Sequence, residues 1–336
     1  MPITLFALML GVFCLGTAEI IISGLLPVVS SDLAVTIPDA GLLVTGYALG
    51  VTIIGPFVTL LTSRVPRKTL VVGLMVPFII GNLWAVLASD YEMLMAARIL
   101  TSVSHGTFVA VAFSLAATLS PPGKQGSAMA KIALDFNLAN ALGGPLGTFI
   151  GQNLGWRATF VAIVIVAMIS MALIAVFMPA KLPQAEQSKP GAMRRELSSL
   201  GNPTFIFAVI KTVLAQGAVF TASTYVVPLL MDISHFSPSA VSALLVVFGI
   251  GAIMGNFAGG RLADKHVMRG VTTVLSSLVI VLVIFWMTSV VTVLSAITLF
   301  LFGAIGFSII SFPAGAHSVT GGCRSDARAV SKCPSL

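Results

Sequence analysis

LFALMLGVFCLGTAEIIISGLLPVV, residues Leu5 to Val29, carries one charge, Glu19, in 25 positions. A helix apolar on every face is either deeply buried or a membrane span. About 20 such residues match the hydrocarbon thickness of a bilayer. Comparable runs recur at 40–62, 69–88, 93–119, 128–154, 157–179, 204–230, 237–262, 270–290 and 292–314, separated by short polar loops. Hydrophobic residues make up 57% of the 336, charged residues only 9%, and mean hydropathy is +1.06. Strict period-two alternation, the mark of a membrane barrel, is absent. Within lipid each backbone polar group must be paired inside its own segment, so these runs are read as helices. The expectation is an all-α polytopic membrane protein of two bundles with about ten transmembrane helices.

A formal net charge of +7 and a pI near 9.7 invite a nucleic-acid reading, which the placement of the charge excludes. With the N-terminus in the cytoplasm, all but three of the 18 Lys and Arg fall inside or at inner helix ends. The three are Arg157, outside, and Arg98 and Lys211, within helices. The short outer loops carry Asp32, Asp39, Asp90, Glu92 and Asp232. Such asymmetry orients a multi-pass protein and predicts a cytoplasmic (inner or plasma) membrane location with the N-terminus inside. The first run is too long for a cleavable signal and lacks a basic leader. Cys14, Cys323 and Cys333 make no disulfide framework, and no Cys or His pair has zinc-ligand spacing. No cofactor or metal is expected, and the sequence has no nucleotide-binding loop or hydrolase motif, so no enzyme is expected either.

A polar stretch, Pro179 to Pro203, separates six runs from four. The organisation read from it is an N-terminal six-helix bundle (1–179), a cytoplasmic linker (180–203), an incomplete C-terminal bundle (204–316) and a polar tail (317–336). After its second helix each half carries a related loop. The first reads Thr59-Leu-Leu-Thr-Ser-Arg64-Val-Pro-Arg67-Lys68, and the second Gly260-Arg-Leu-Ala-Asp264-Lys265-His-Val-Met-Arg269. Duplicated bundles of this kind typify secondary transporters with a substrate site near the midplane.

Ionisable groups inside a span are costly and usually functional or paired. Glu19 lies ~12 Å from the outer end of its helix and Arg98 ~9 Å from the same side, at 1.5 Å rise per residue. Matching depth makes them an expected ion pair. Desolvation and a neighbouring guanidinium pull a carboxyl's protonation in opposite directions, which suits a proton-exchanging group; a static pair locking two helices is the alternative. His105, seven residues beyond Arg98 on nearly the same face, is either a proton relay or a packed histidine. Asp135 and Lys211 lie at similar depth in opposite halves and would latch the inner side, but Lys131, four residues before Asp135, is the favoured local partner. Asn82, Asn137, Asn140 and Gln216 read as interhelical glue or as ligands. Tyr47, Phe108 and Phe220 are candidate cavity aromatics or lipid-facing rings. Gly143, Gly147 and Gly151, like Gly251, Gly255 and Gly259, form ladders that let backbones approach closely.

Both loops resemble degenerate copies of the major facilitator motif G-x-x-x-D-R-x-G-R-R/K. The first matches at Arg64, Arg67 and Lys68, with Thr59, Ser63 and Pro66 in place of its Gly, Asp and Gly. The second keeps Gly260, Asp264, Lys265 and Arg269, with Val267 for the second Gly. Gly16-Thr-Ala-Glu19, Gly24-Leu-Leu-Pro27, Gly46-Tyr-Ala-Leu-Gly50, Arg98…His105-Gly106-Thr-Phe108, Gly144-Pro145-Leu-Gly147 and Gly155-Trp156-Arg157 are similar to drug:proton antiporters of that superfamily, especially arabinose-efflux and chloramphenicol-efflux permeases. The resemblance spans residues 5–315.

It implies a proton-coupled secondary transporter, not an enzyme, that exports a small drug-like or sugar-like molecule as a monomer. Glu19, Arg98 and His105 would couple protons, on helices 1 and 4 lining the cavity. Tyr47, Phe108, Asn137 and Asn140 would face substrate. Arg64, Arg67, Lys68, Asp135, Gly144, Pro145, Gly147, Lys211, Gly260, Asp264, Lys265 and Arg269 would serve gating, and the ladders of helices 5 and 8 would sit at the seam between halves. Ten helices stand where relatives have twelve, so a truncated, non-transporting remnant is the alternative reading.

Overall fold

A computed structural model describes residues 2–120, 125–179, 203–265 and 267–308, and all regular structure among them is helical. The helices are α1 (Pro2–Asp32), α2 (Ile37–Leu61), α3 (Arg67–Val86), α4 (Tyr91–Thr118), α5 (Gln125–Leu138), α6 (Gly144–Leu154), α7 (Trp156–Phe177), α8 (Pro203–Thr224), α9 (Pro238–Lys265), α10 (Val267–Thr288) and α11 (Thr292–Ser308). A π-helical segment, Ala139–Gly143, joins α5 to α6. A short turn, Val226–Pro228, and a second π segment, Leu229–Ile233, follow α8. Six described helices are long and apolar enough to cross a membrane, and a seventh span results if the pair Val213–Thr224 and Val226–Ile233, bent by 44°, counts as one. The protein is a multi-pass membrane protein.

Each apolar run coincides with a helix or a broken helix to within a few residues. The run 292–314 is described only to Ser308. Both breaks lie beside a proline. Pro145 has no N–H to donate one turn back, which weakens the 128–154 rod there, although α1, α2 and α3 carry Pro27, Pro56 and Pro77 without a break. Before Pro145 the chain widens, and the Gly144 N–H reaches the carbonyl of Ala139, five residues earlier. Pro228 directly precedes a second such segment, where the Ser234 N–H bonds the Leu229 carbonyl at 3.1 Å. π turns of this kind cluster at functional sites.

Helix starts follow ordinary capping. The Thr36 side chain accepts from the Asp39 N–H at 3.2 Å, and Asp90 accepts from Met93 at 2.8 Å. Between α6 and α7 the chain turns at Gly155, whose φ of +86° a side-chain-bearing residue resists.

Buried apolar side chains gather in one large cluster running from Ala7 to Met178 and a smaller one from Val219 to Phe307. Outward faces stay apolar, as Phe57, Leu61, Val279, Trp286 and Met287 show. Lipid tails are as apolar as these side chains, so helices associate through close packing rather than expulsion of water. Small residues serve that packing. Gly251, Gly255 and Gly259 of α9 lie against the backbone of Phe300, Ala304 and Ser308 in α11. Gly143, Gly147 and Gly151 face Thr17, Ile21 and Leu25 of α1. Both ladders therefore join helices of one half and not the seam between halves. The close crossing between halves is made by Gly249 against Ala141.

Candidate functional site

A cavity of about 620 Å³ lies between the halves. Glu19 of α1, Asn140 of the π segment and Pro145 of α6 line it from one half. Gln216 and Phe220 of α8 and Phe248 of α9 line it from the other. The first π segment, through Asn140, and the turn Val226–Pro228, through Val226 and Val227, thus border the cavity.

Behind Glu19 the first half holds a cluster of ionisable and aromatic groups. Oε2 of Glu19 lies 3.7 Å from Nε2 of His105, and Nδ1 of that ring hydrogen-bonds the Tyr47 hydroxyl at 2.8 Å. The Tyr47 and His105 rings meet edge to face, centroids 5.7 Å apart at 81°. Arg98 places its guanidinium carbon 4.1 Å from the Tyr47 ring centroid. Its Nη1 donates to the Ala18 carbonyl, and Nη2 to the Glu19 carbonyl at 3.2 Å. Arg98 and Tyr47 are essentially inaccessible.

Matching depth does bring Glu19 and Arg98 together, but through different atoms from those expected. The guanidinium satisfies backbone carbonyls of α1, and the carboxylate turns to His105. Arg98 has donors enough for both carbonyls, whereas a carboxylate facing the cavity is left to the shorter-reaching imidazole.

The expected cavity residues divide. Asn140 is at the cavity. Tyr47 and Phe108, fully buried, are not among its lining residues; Phe108 packs its ring tip against Gly11 of α1. Asn137 is also buried, its Nδ2 donating back to the Ala133 carbonyl at 3.1 Å. Phe220, considered only as one aromatic among three, does line the cavity.

Of the gating residues, Gly144 and Pro145 line the cavity and Gly147 packs on Ile21 and Thr159. Asp135 is buried, and its Oδ2 has no hydrogen-bond partner among the described residues. Lys131 is exposed and forms no described ion pair with it. The local pairing is therefore corrected: burial carries the carboxylate into the bundle while the lysine, on the same helix, stays out. Arg64 is exposed and Arg67 half-buried. Lys68 donates to the Met178 carbonyl at 2.7 Å, tying α3 to the end of α7. The side chains of Lys211, Gly260, Asp264, Lys265 and Arg269 lie outside the described residues.

Sequence reading missed the contacts that join the halves near the α1–α2 loop. The Tyr225 hydroxyl rests against Gly41, and Ser242 Oγ donates to Gln152 Oε1 at 3.1 Å. A polar aromatic and a lone Gln at span ends were the available signals. Among the described residues no group of three or more His, Cys, Asp or Glu has metal-binding geometry.

The sequence profile of the Major Facilitator Superfamily matches residues 8–330. The chain is 40% identical over 263 residues to the inner membrane transport protein YdhP of Escherichia coli (strain K12), covering 78% of this chain and 67% of that protein. It is 31% identical over 266 residues to a chloramphenicol resistance protein of Streptomyces lividans, covering 79% and 68%. A bacterial homologue of the human lysosomal transporter Spinster, solved inward-facing and unoccupied, superposes with a TM-score of 0.75 at 16% identity. That likeness covers 95% of this chain and 77% of the other, and is one of fold.

Proposed function

The chain belongs to the major facilitator superfamily, a family of transporters and not enzymes, and from that premise we propose that it exports a small molecule in exchange for protons by alternating access. The observation that carries this reading is the position of Glu19. Its carboxylate borders a cavity between the two halves and has a titratable imidazole 3.7 Å behind it. An acid so placed meets substrate and proton in the same space, so the two can compete for it. Arg98, bolted to the α1 carbonyls, holds the acid's backbone in place.

In this reading the bundles 1–179 and 204–316, joined by 180–203, rock about the Gly249–Ala141 crossing. The N-terminus faces the cytoplasm, the protein works as a monomer, and the Tyr225–Gly41 and Ser242–Gln152 contacts close the outer side. Phe220, Phe248 and Pro145 suit an amphipathic cargo with an apolar body, with Asn140 and Gln216 offering hydrogen bonds to its polar groups.

The test is purified protein in proteoliposomes with an imposed pH gradient, using radiolabelled chloramphenicol and a neutral pentose as probes. Gradient-driven movement of either probe, abolished in Glu19→Gln, supports the proposal. Movement of a probe that Glu19→Gln leaves equally sensitive to the gradient overturns Glu19 as the coupling group. No gradient-driven movement of either probe overturns export of these two classes.

A further inference from the structure

Tyr47, expected at the cavity, stands one shell behind it, and its surroundings give it a different task. Its hydroxyl is buried and hydrogen-bonds Nδ1 of His105 at 2.8 Å. A buried phenol O–H needs an acceptor. Among the described residues, the imidazole nitrogen is the acceptor that its position provides. A nitrogen that accepts is the bare nitrogen of a neutral imidazole, so the ring's proton must be on the other, Nε2. Nε2 is the atom 3.7 Å from the Glu19 carboxylate.

We propose that Tyr47 is a positioning residue that fixes the tautomer of His105, keeping Nδ1 as an acceptor and presenting Nε2–H to Glu19. The proposal rests on the reading of Glu19 as the coupling acid and adds the element that orients its neighbour. The groups facing His105 are few. Among the described residues Glu19 approaches from α1, Tyr47 from α2 and Arg98 from its own helix, α4. Arg98 supports the tyrosine and not the histidine. Its guanidinium covers the Tyr47 ring while Nη1 and Nη2 donate to the Ala18 and Glu19 carbonyls, and Nε has no hydrogen-bond partner among the described residues. The ring is thereby clamped with its hydroxyl aimed at Nδ1.

The opposite tautomer would set the Nδ1–H against the phenol oxygen, leaving the buried O–H without an acceptor and a bare Nε2 facing a carboxylate. Both changes are unfavourable, and they act together. When Glu19 takes a proton from the cavity its attraction for the Nε2–H falls, and when it loses one the restored charge again faces that N–H across 3.7 Å. No proton passes to Tyr47 in this scheme.

The test is 15N NMR of the full chain with 15N-histidine in lipid nanodiscs. The chain has four histidines, so the His105 signals are assigned by their loss in His105→Gln. The expected wild-type spectrum has a bare, hydrogen-bonded Nδ1 and a protonated Nε2. In Tyr47→Phe, which keeps the ring under Arg98, the Nδ1–H form is expected to gain a substantial population. A wild-type Nδ1–H signal, or a Tyr47→Phe spectrum unchanged from wild type, overturns the proposal. If Tyr47→Phe fails to fold, 3-fluorotyrosine incorporated in its place is a stronger donor that preserves shape. A shift of the His105 Nδ1 resonance then supports the assignment, and a stationary one overturns it. None of these readings uses substrate movement. They stand or fall separately from the vesicle assay on Glu19→Gln.

Discussion

Gly249 of α9 crosses Ala141 of the first π segment so closely that a Cβ on the glycine would fall onto the Ala141 backbone and within 2.8 Å of its Cβ. Interiors are packed too tightly to absorb such an insertion freely. Gly249→Val is expected to destabilise the protein by about 1–3 kcal/mol, the usual cost of overpacking, and to push the halves apart. Thermal unfolding in detergent measures the first effect. Gly73→Ala is the control, because open space surrounds that position; it should be neutral or stabilising by about 0.5 kcal/mol.

Arg98 is a strut before it is a charge. Removing it in Arg98→Ala takes a second donor from the Ala18 and Glu19 carbonyls, which lie within the continuous helix α1, and strips the cation from the Tyr47 face. Hydrogen bonds to charged groups contribute roughly 1.5–3 kcal/mol each, and the buried Nε without a partner offsets part of that gain, so a loss of about 2–3 kcal/mol is expected. Arg98→Lys keeps the charge but has no planar fork to serve two carbonyls at once. It should recover about half of the loss. Equal melting temperatures for Arg98→Lys and the wild type would contradict the two-carbonyl geometry.

Much of this was legible because lipid makes helix length a strong signal: runs such as 5–29 and 157–179 coincide with α1 and α7 without help from side-chain detail. The interruptions were less legible. Gly144-Pro145 reads as a family motif, and nothing in it announces the π segment, since Pro27, Pro56 and Pro77 sit in unbroken helices. Depth along a helix also read correctly, bringing Glu19 and Arg98 to one level. Azimuth did not. In a soluble protein the polar face tells which way a helix turns, but here the lipid side, the core and the cavity are all largely apolar. Tyr47, Phe108 and Phe220 therefore looked alike in sequence, yet only Phe220 reaches the cavity. The same ambiguity hid which partner each glycine ladder faced.

Asp32 holds two partners of different kinds at the end of α1. Its Oδ2 accepts from the Arg157 guanidinium at 2.7 Å and from the Trp156 indole at 2.9 Å, while Arg157 also reaches the Ala88 carbonyl at 2.7 Å. The carboxylate and the guanidinium are each more than a third exposed, so their pairing contributes only about 0.5–1 kcal/mol and falls with salt. The indole is buried, and leaving its N–H without an acceptor costs about 1–3 kcal/mol. Asp32→Asn keeps an acceptor oxygen and should lose only the smaller, salt-sensitive part. Asp32→Ala should lose both, with most of the loss persisting at high salt. Thermal unfolding of the two variants at 0.05 and 1 M NaCl separates them.

Ser242 and Gln152 offer a way to test sidedness and motion together. Their side chains meet at 3.1 Å across the two halves, next to the loops that the charge asymmetry places outside. With Cys14, Cys323 and Cys333 replaced, cysteines at 152 and 242 should be joined by a short bifunctional thiol reagent that cannot cross the membrane. Added to intact cells, it should link the pair and arrest transport of any probe the parent moves, because the halves can then no longer part on that side. Cleaving a reducible version of the linker should restore transport. Labelling only in inverted vesicles would reverse the orientation. Efficient linkage with transport undiminished would mean that these two helices keep their contact throughout the cycle, and the outer closure would have to lie elsewhere.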